Sequence, residues 1–179
     1  MYKLNMKRFF RKLFELPKNI YLVIKYPFIA INYDRVFNDS YSSVRKDVII
    51  SLLKGNYPYT LYDCIPIGWR KSFGIKLLDE LKDAAIADGV FEELKIYDIK
   101  EKYGELRIEV NISSHYVNKV IEKYEYISYR TCGICGLPAD KLSGGWIFPY
   151  CKKCADKTTV IGFEDFEDWY GYKSFKNID

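Results

Sequence analysis

The chain has 179 residues, of which 49% are hydrophobic and 29% are charged. This length supports one main domain with small appendages, and the composition excludes both a disordered chain and a membrane-embedded helix bundle. The net charge of +4 is unevenly placed: the first 25 residues carry seven basic side chains against Glu15 alone, whereas the segment after Cys154 is acidic. This polarity indicates different partners for the two ends, or contact between them.

Residues 1–40 are predicted to form a basic amphipathic arm. Between Met1 and Leu16 the apolar side chains recur at the spacing of one helical face, and Pro17 ends that pattern. An exposed basic face of this kind is suited to phosphate groups, whether on a nucleic acid or on an anionic membrane. The candidate contact residues are Lys3, Lys7, Arg8, Arg11, Lys12 and Lys18.

The most apolar stretch of the chain covers residues 19–33. Lys25 and Pro27 interrupt it, and it is shorter than the roughly 18 apolar residues that a membrane-spanning helix requires. We therefore expect no transmembrane helix. Because no small-residue cleavage site follows an uninterrupted apolar run, a secretory signal peptide is not expected either, and the cysteines should lie in a reducing compartment.

Two helices are predicted in the first half of an α+β domain that covers residues 41–130. The first covers residues 42–54, and Gly55 ends it. The second runs from about residue 69 to residue 88, and Gly89 supplies a left-handed stop. The apolar face of this second helix, expected at the centre of the core, consists of Trp69, Phe73, Leu77, Leu81 and Ala84 or Ala85.

A β-hairpin and a third helix complete this domain. Alternation of apolar and polar residues on both sides of Tyr103-Gly104 predicts two strands joined by a tight turn. Ser113 or Ser114 is then predicted to cap a helix that leads directly to the cysteines. The inner positions of that helix are Val117, Val120, Ile121, Tyr124 and Ile127. The fold class is therefore α+β, with helices packed on a β-hairpin and a zinc ribbon following at residues 131–155.

Cys132, Cys135, Cys151 and Cys154 form two CxxC pairs separated by 15 residues, a spacing typical of a four-cysteine zinc site. Four thiolates fill the tetrahedron of one Zn²⁺ and leave no position for water or substrate, which predicts a structural role. Iron at the same ligands, redox dithiols and disulfides are the alternatives. Cys64 is far from both pairs in sequence and is expected to be a buried free thiol.

Glycines and aromatic residues set the expected path of the ribbon. Gly133 and Gly136 should give the first CxxC turn its backbone freedom, and Gly144-Gly145 should reverse the chain. The run at residues 146–148 is predicted to be the strand that returns to the second cysteine pair. The remaining residues, 156–179, form an acidic aromatic tail whose rings either pack on the core or contact a partner.

Three segments together resemble a family of small zinc-ribbon proteins found widely in tailed bacteriophages and bacterial genomes. They are the helix start GWRKSFG at residues 68–74, the hairpin IKEKYGELR at residues 99–107, and the ribbon with Pro138, Gly145-Trp146 and the second CxxC pair. The resemblance implies a phage or mobile-element setting and supports the metal ligands, but it brings no activity with it. We therefore expect a cytoplasmic protein, in the host cell if phage-encoded, with membrane-peripheral attachment as the alternative.

The leading functional hypothesis is a non-enzymatic binding module for a nucleic acid or a host protein. Candidate partner contacts are Lys100, Lys102, Arg107 and Trp146. A peripheral membrane protein, attached through residues 1–33, is the first alternative. A metal-assisted nuclease is the second, built on the carboxylates of the hairpin. Cross-strand ion pairs explain those carboxylates equally well, His115 has the position of a surface or capping residue, and no small-molecule substrate is predicted.

Overall fold

The computed structural model describes residue 18 and residues 20–29 and 60–165 of the chain. The predicted helix at 42–54, most of the basic arm and most of the tail lie outside these ranges. Within them, residues 20–25 are helical and are followed by a 3₁₀ turn, Pro27–Ile29. None of the described helices is long and apolar enough to cross a membrane.

Helix α1 contains three consecutive segments: an α-helical turn Ile67–Trp69, a π-helical turn Arg70–Gly74 and a regular α-helix Ile75–Ala87. The prediction for this region is confirmed in extent, and its apolar face is buried throughout. The wider π turn, which periodicity alone does not predict, keeps Trp69 and Phe73 on the side that faces the core. Gly89 follows the helix with a φ of +69°, as expected for a left-handed stop.

The hairpin has strands β1 (Ile96–Lys102) and β2 (Glu105–Val110), which pair antiparallel with Ile99 opposite Ile108. Tyr103 and Gly104 form the turn with φ values of +55° and +83°, the left-handed pair that a two-residue type I′ turn requires. The predicted hairpin is therefore confirmed.

Helix α2, His115–Tyr129, begins where the sequence predicts, and Ser114 is its N-cap residue, but the expected hydrogen bond to the serine side chain is not present. The N–H groups of Tyr116 and Val117 instead donate to the Asp88 carboxylate, at 2.8 and 3.2 Å, from the end of α1. An acidic side chain satisfies free helix N–H groups at least as well as a serine does, and this one also ties the two helices together.

One hydrophobic core joins these elements. The inner faces of α1, α2 and the hairpin meet around Trp69, Leu77 and Leu81, which are fully buried. Tyr26 and Phe28, which belong to the predicted arm at residues 1–40, lie in the same core. The membrane hypothesis assigns residues 1–33 to the bilayer surface, whereas these two side chains are buried in the domain.

The ribbon is a three-stranded antiparallel sheet in the order β4-β3-β5. Its strands are β3 (Lys141–Ser143), β4 (Pro149–Tyr150) and β5 (Phe163–Asp165), and a single helical turn α3 (Lys152–Ala155) follows β4. The predicted return strand at 146–148 is wrong, since Ser143 Oγ donates to the Trp146 carbonyl and keeps that residue in the turn. Strand β5 brings the beginning of the predicted tail into the ribbon.

Candidate metal centre

The four cysteines of the two CxxC pairs converge at one point between the ribbon and α1. Their Sγ atoms all lie within 4.8 Å of one another, and Cys135 Sγ is 3.6 Å from Cys151 Sγ. Four sulfurs at about 2.3 Å from one ion are separated by about 3.8 Å, so the observed spacing fits a tetrahedral site. Thiolates are the donors that zinc and iron accept in such a geometry. The cluster can therefore hold one metal ion.

Local backbone geometry positions the first cysteine pair. Cys132 N–H donates to the Leu137 carbonyl at 2.7 Å, and Gly136 N–H donates to the Cys132 carbonyl at 2.9 Å. Gly136 has a φ of +84°, so its predicted role in the turn is confirmed. Gly133 has a different role, because a Cβ at this position would lie 2.1 Å from Phe148 Cζ. It makes room for a ring of the ribbon.

The environments of the thiols differ. A hydrogen bond from the Leu137 backbone N–H lowers the pKa of the Cys135 thiol to about 7. Burial raises the pKa of Cys151, and it raises the pKa of Cys154 to about 12. Four adjacent thiolates repel one another, and a bound dication removes that penalty by replacing lost solvation with direct ligation. The site is therefore built to be completed by a cation.

Helix α1 is fixed directly to the first cysteine pair. Gly68 N–H donates to the Gly133 carbonyl at 2.8 Å. The Trp69 indole N–H donates to the Thr131 carbonyl, the residue before Cys132, at 2.7 Å in a buried bond. The metal site is thus attached to the backbone and the central side chain of the core, not only to the ribbon. The four cysteines were predictable from their spacing, whereas Gly68 and Trp69 carried no spacing signal for this role.

Stacked rings make a second connection between the core and the ribbon. Trp69 lies between Phe73 and Phe148, with ring centroids 6.4 and 6.1 Å away and small interplanar angles. Phe148 then packs on Tyr150, which packs edge-to-face on Phe163 of β5. This aromatic row extends from α1 to the outer strand of the ribbon. It favours packing over partner contact for Phe163, the first aromatic residue of the tail.

The other predicted site residues that the structure describes are not part of the cysteine cluster. Lys100 pairs with Asp98 and Glu109 at 2.5 and 2.9 Å, and Arg107 pairs with Glu105 and Glu125. Lys102 and Trp146 are placed at the hairpin tip and the β3–β4 turn. Cys64 is half-buried, which corrects the expectation that it is buried, and it lies outside the cluster. Lys18 is exposed, whereas Lys3, Lys7, Arg8, Arg11 and Lys12 lie outside the described residues.

Gly68→Ala is expected to weaken both the fold and metal retention. An alanine Cβ would lie 2.3 Å from the Cys132 carbonyl oxygen and 2.6 Å from the Gly133 carbonyl carbon, so helix and cysteine turn must separate. We expect a loss of about 1–3 kcal/mol in unfolding free energy. Urea denaturation measures this loss, and transfer of the metal to a chromogenic chelator measures retention.

Gly145→Ala is the matched control for this prediction. Gly145 has a φ of +75°, so alanine introduces backbone strain, but a Cβ there meets nothing within 4 Å. The control should lose stability without faster metal release. Equal release rates in the two variants would show that the contact at Gly68 does not support the metal site.

Comparison of the chain with models of known protein families, with curated proteins and with solved structures gives no match. Fold and site therefore define the class of protein on their own terms: an α+β domain whose central helix is bonded to a four-cysteine metal-binding ribbon.

Proposed function

We propose that this chain is a non-enzymatic binding protein, held together by one structural zinc ion, whose partner is a nucleic acid or a protein. The main support for this proposal is the closed metal centre. Four thiolates leave the ion no open position for water or substrate, so the ion serves to hold surfaces in place and not to react. Zinc is favoured over iron because it needs no redox partner and suits a closed four-thiolate site.

The hairpin charges support binding over catalysis. Lys100 lies between two carboxylates, and Arg107 contacts two more, so these carboxylates are engaged in ion pairs on the surface. A metal-assisted nuclease requires carboxylates that converge on a free site. Among the described residues, the cysteine cluster is the only group of three or more possible metal ligands that converge on one point.

A nucleic-acid partner is assigned to the basic arm. Residues 60–164 contain 15 basic and 16 acidic side chains, so the described domain offers no excess of positive charge. The excess lies in the first 25 residues. Lys18 is exposed, and its ammonium is 5.4 Å from the centre of the Tyr62 ring. Phosphate contacts from such an arm weaken steeply with salt.

A phage or mobile-element setting, with action in the host cytoplasm, is part of the same proposal. The three segments that carry the resemblance are in contact with each other: Gly68 bonds to the cysteine turn, and Trp146 of the ribbon bonds to Glu101 of the hairpin. Residues scattered over 87 positions of sequence, 68 to 154, thus serve one junction. The three segments therefore form one structural unit, and the proposed setting rests on their resemblance.

The experiment is fluorescence anisotropy of the full chain with single-stranded DNA, double-stranded DNA and RNA across a salt series. Removing residues 1–40 would also remove Tyr26 and Phe28 from the core, so the arm is neutralised instead. The variant replaces Lys3, Lys7, Arg8, Arg11 and Lys12 with Gln. Expected are salt-dependent binding by the parent chain and a shallower salt slope with at least tenfold weaker binding by the variant, as about five lost phosphate contacts imply.

Absence of nucleic-acid binding by a zinc-loaded parent chain would remove this partner and leave a protein partner. Binding that is unaffected by neutralising the arm would place recognition elsewhere on the chain. Retention of full stability after complete zinc removal would contradict the structural role of the metal.

A membrane surface is the second candidate, and one observation favours it. Ile20, Tyr21 and Ile24, which belong to the basic arm, are 37, 51 and 63% exposed. An apolar row beside cationic residues is suited to an anionic bilayer surface. Vesicles with and without anionic lipid are therefore run in parallel, with Tyr21→Ser/Ile24→Ser as the test variant. Equal vesicle binding by parent and variant would exclude this row as the contact.

A further inference from the structure

Two exposed aromatic side chains lie at the junction of hairpin and ribbon. Tyr103 occupies the hairpin turn and is 64% exposed, and Trp146 occupies the β3–β4 turn and is 70% exposed. The predicted partner contacts include Trp146 and do not include Tyr103. Large aromatic residues this exposed are a frequent feature of interaction hot spots.

Glu101 holds the two turns together. One carboxylate oxygen accepts the Trp146 indole N–H at 2.9 Å, and the other accepts the Gly104 backbone N–H at 2.7 Å. The turns also pack closely, since a Cβ at Gly104 would lie 3.2 Å from Ile147 Cγ2. The indole is therefore fixed before any partner arrives, which lowers the entropy cost of binding.

The backbone of Tyr103 adds a second observation. Its φ of +55° belongs to the left-handed region, where asparagine and glycine are the usual residues of a type I′ turn. Among the residues that the structure describes, Tyr103 is the only non-glycine residue with a positive φ. A bulky residue in this region is strained, and such strain concentrates at functional positions. In this conformation the phenol ring of Tyr103 points outward beside the β3–β4 turn, which contains Trp146.

The charges around the two rings favour a cationic ligand over a polyanion. Residues 96–110 contain four acidic and three basic side chains. Of the three, Lys100 and Arg107 are engaged by carboxylates, and Lys102 lies with its ammonium 5.6 Å from the Tyr103 ring centre. Stacking of nucleic-acid bases on aromatic rings ordinarily needs a positively charged track for the phosphates, whereas the hairpin has more acidic than basic side chains.

We propose that Trp146 and Tyr103 form a docking platform for an arginine side chain presented by an extended segment of a protein partner. The inference rests on the proposed binding function and names the partner for this one surface. A guanidinium stacks flat on an indole and is weakly hydrated, so it gains more from the ring face than an ammonium does. Glu101 is a positioning residue, because both of its oxygens are already used within the junction.

The test compares the full-length parent chain with Trp146→Ala. The probes are a fluorescent arginine–glycine repeat peptide, the same peptide with lysine in place of arginine, and an oligothymidylate of equal length. We expect the arginine peptide to bind better than the lysine peptide, and Trp146→Ala to weaken it at least about tenfold. The acidic tail is identical in both proteins, so its attraction for basic peptides cancels in the comparison.

Tyr116→Ala is the matched control, since Tyr116 is 51% exposed on α2, away from the junction. It should bind the arginine peptide as the parent does. Equal binding by parent and Trp146→Ala would overturn the proposal. So would oligothymidylate binding that depends on Trp146, which would make this surface a nucleic-acid site. Arm-dependent nucleic-acid binding and zinc content do not involve Trp146, so failure here and failure of the proposed function are separate results.

A second variant tests the positioning role. Glu101→Gln keeps one carbonyl acceptor where the carboxylate has two, so one of the two hydrogen bonds must be lost. The indole N–H resonance of Trp146 is expected to shift while that of buried Trp69 stays in place, and arginine-peptide binding should fall by several-fold. An unshifted Trp146 resonance would show that Glu101 does not fix the ring.

Discussion

Cys132→Ser is expected to destabilise the entire described fold, not the ribbon alone. The substitution leaves the site one thiolate short, and structural zinc contributes on the order of 10 kcal/mol to folding in small domains, so a loss on the order of 4 kcal/mol or more is expected. Its effect should reach the core because Gly68 and Trp69 bond to carbonyls on both sides of Cys132. Circular dichroism melting and metal analysis measure the two quantities.

Cys64→Ser is the matched control. Cys64 is half-buried and outside the cluster, so this variant should retain one zinc per chain and melt close to the parent. Chelation of the metal from the parent chain should reproduce the Cys132→Ser melting curve. A variant with unchanged melting temperature and full zinc content would refute the metal assignment, and a curve in which the helices melt at the parental temperature would refute the coupling to the core.

Periodicity predicted the elements whose register is set by a buried face. The i, i+4 spacing from Trp69 to Leu81 and the alternation around Tyr103-Gly104 each bury one side, so a shift of register would expose the core. The same reasoning could not find the π turn at residues 70–74, because the pattern is that of a regular α-helix. It also could not find the Asp88 cap, because that contact joins residues 28 positions apart.

The metal ligands could likewise be predicted from the sequence, whereas their surroundings could not. Spacing alone identified four ligands, because two tight CxxC turns each present two sulfurs to one ion. The placement of the ribbon depended on three-dimensional contacts: Phe148 needs the space left by Gly133, and Trp146 is held in the turn by Ser143. Residues 146–148 are large and apolar, which predicts a strand, but in the structure these contacts hold them before the start of β4.

Trp69→Ala is expected to be the most damaging change outside the metal ligands. The side chain is 0% exposed and lies between the rings of Phe73 and Phe148, so its removal leaves a large cavity where core and ribbon meet. Truncation of a buried tryptophan typically costs about 3–5 kcal/mol. The Thr131 carbonyl also loses its buried donor. Urea denaturation followed by circular dichroism measures the loss.

Trp69→Phe separates the two causes of that loss. Phenylalanine keeps most of the stacking but has no N–H, so its cost should approach the penalty of an unsatisfied buried carbonyl, about 1–3 kcal/mol. Trp146→Ala, which removes a tryptophan that is 70% exposed, should change stability by no more than about 0.5 kcal/mol. If Trp69→Ala were tolerated as well as Trp146→Ala, the ribbon would be held by its metal alone. If Trp69→Ala also speeds zinc release, the indole supports the cysteine turn through Thr131, and the metal site and the core fold as one unit.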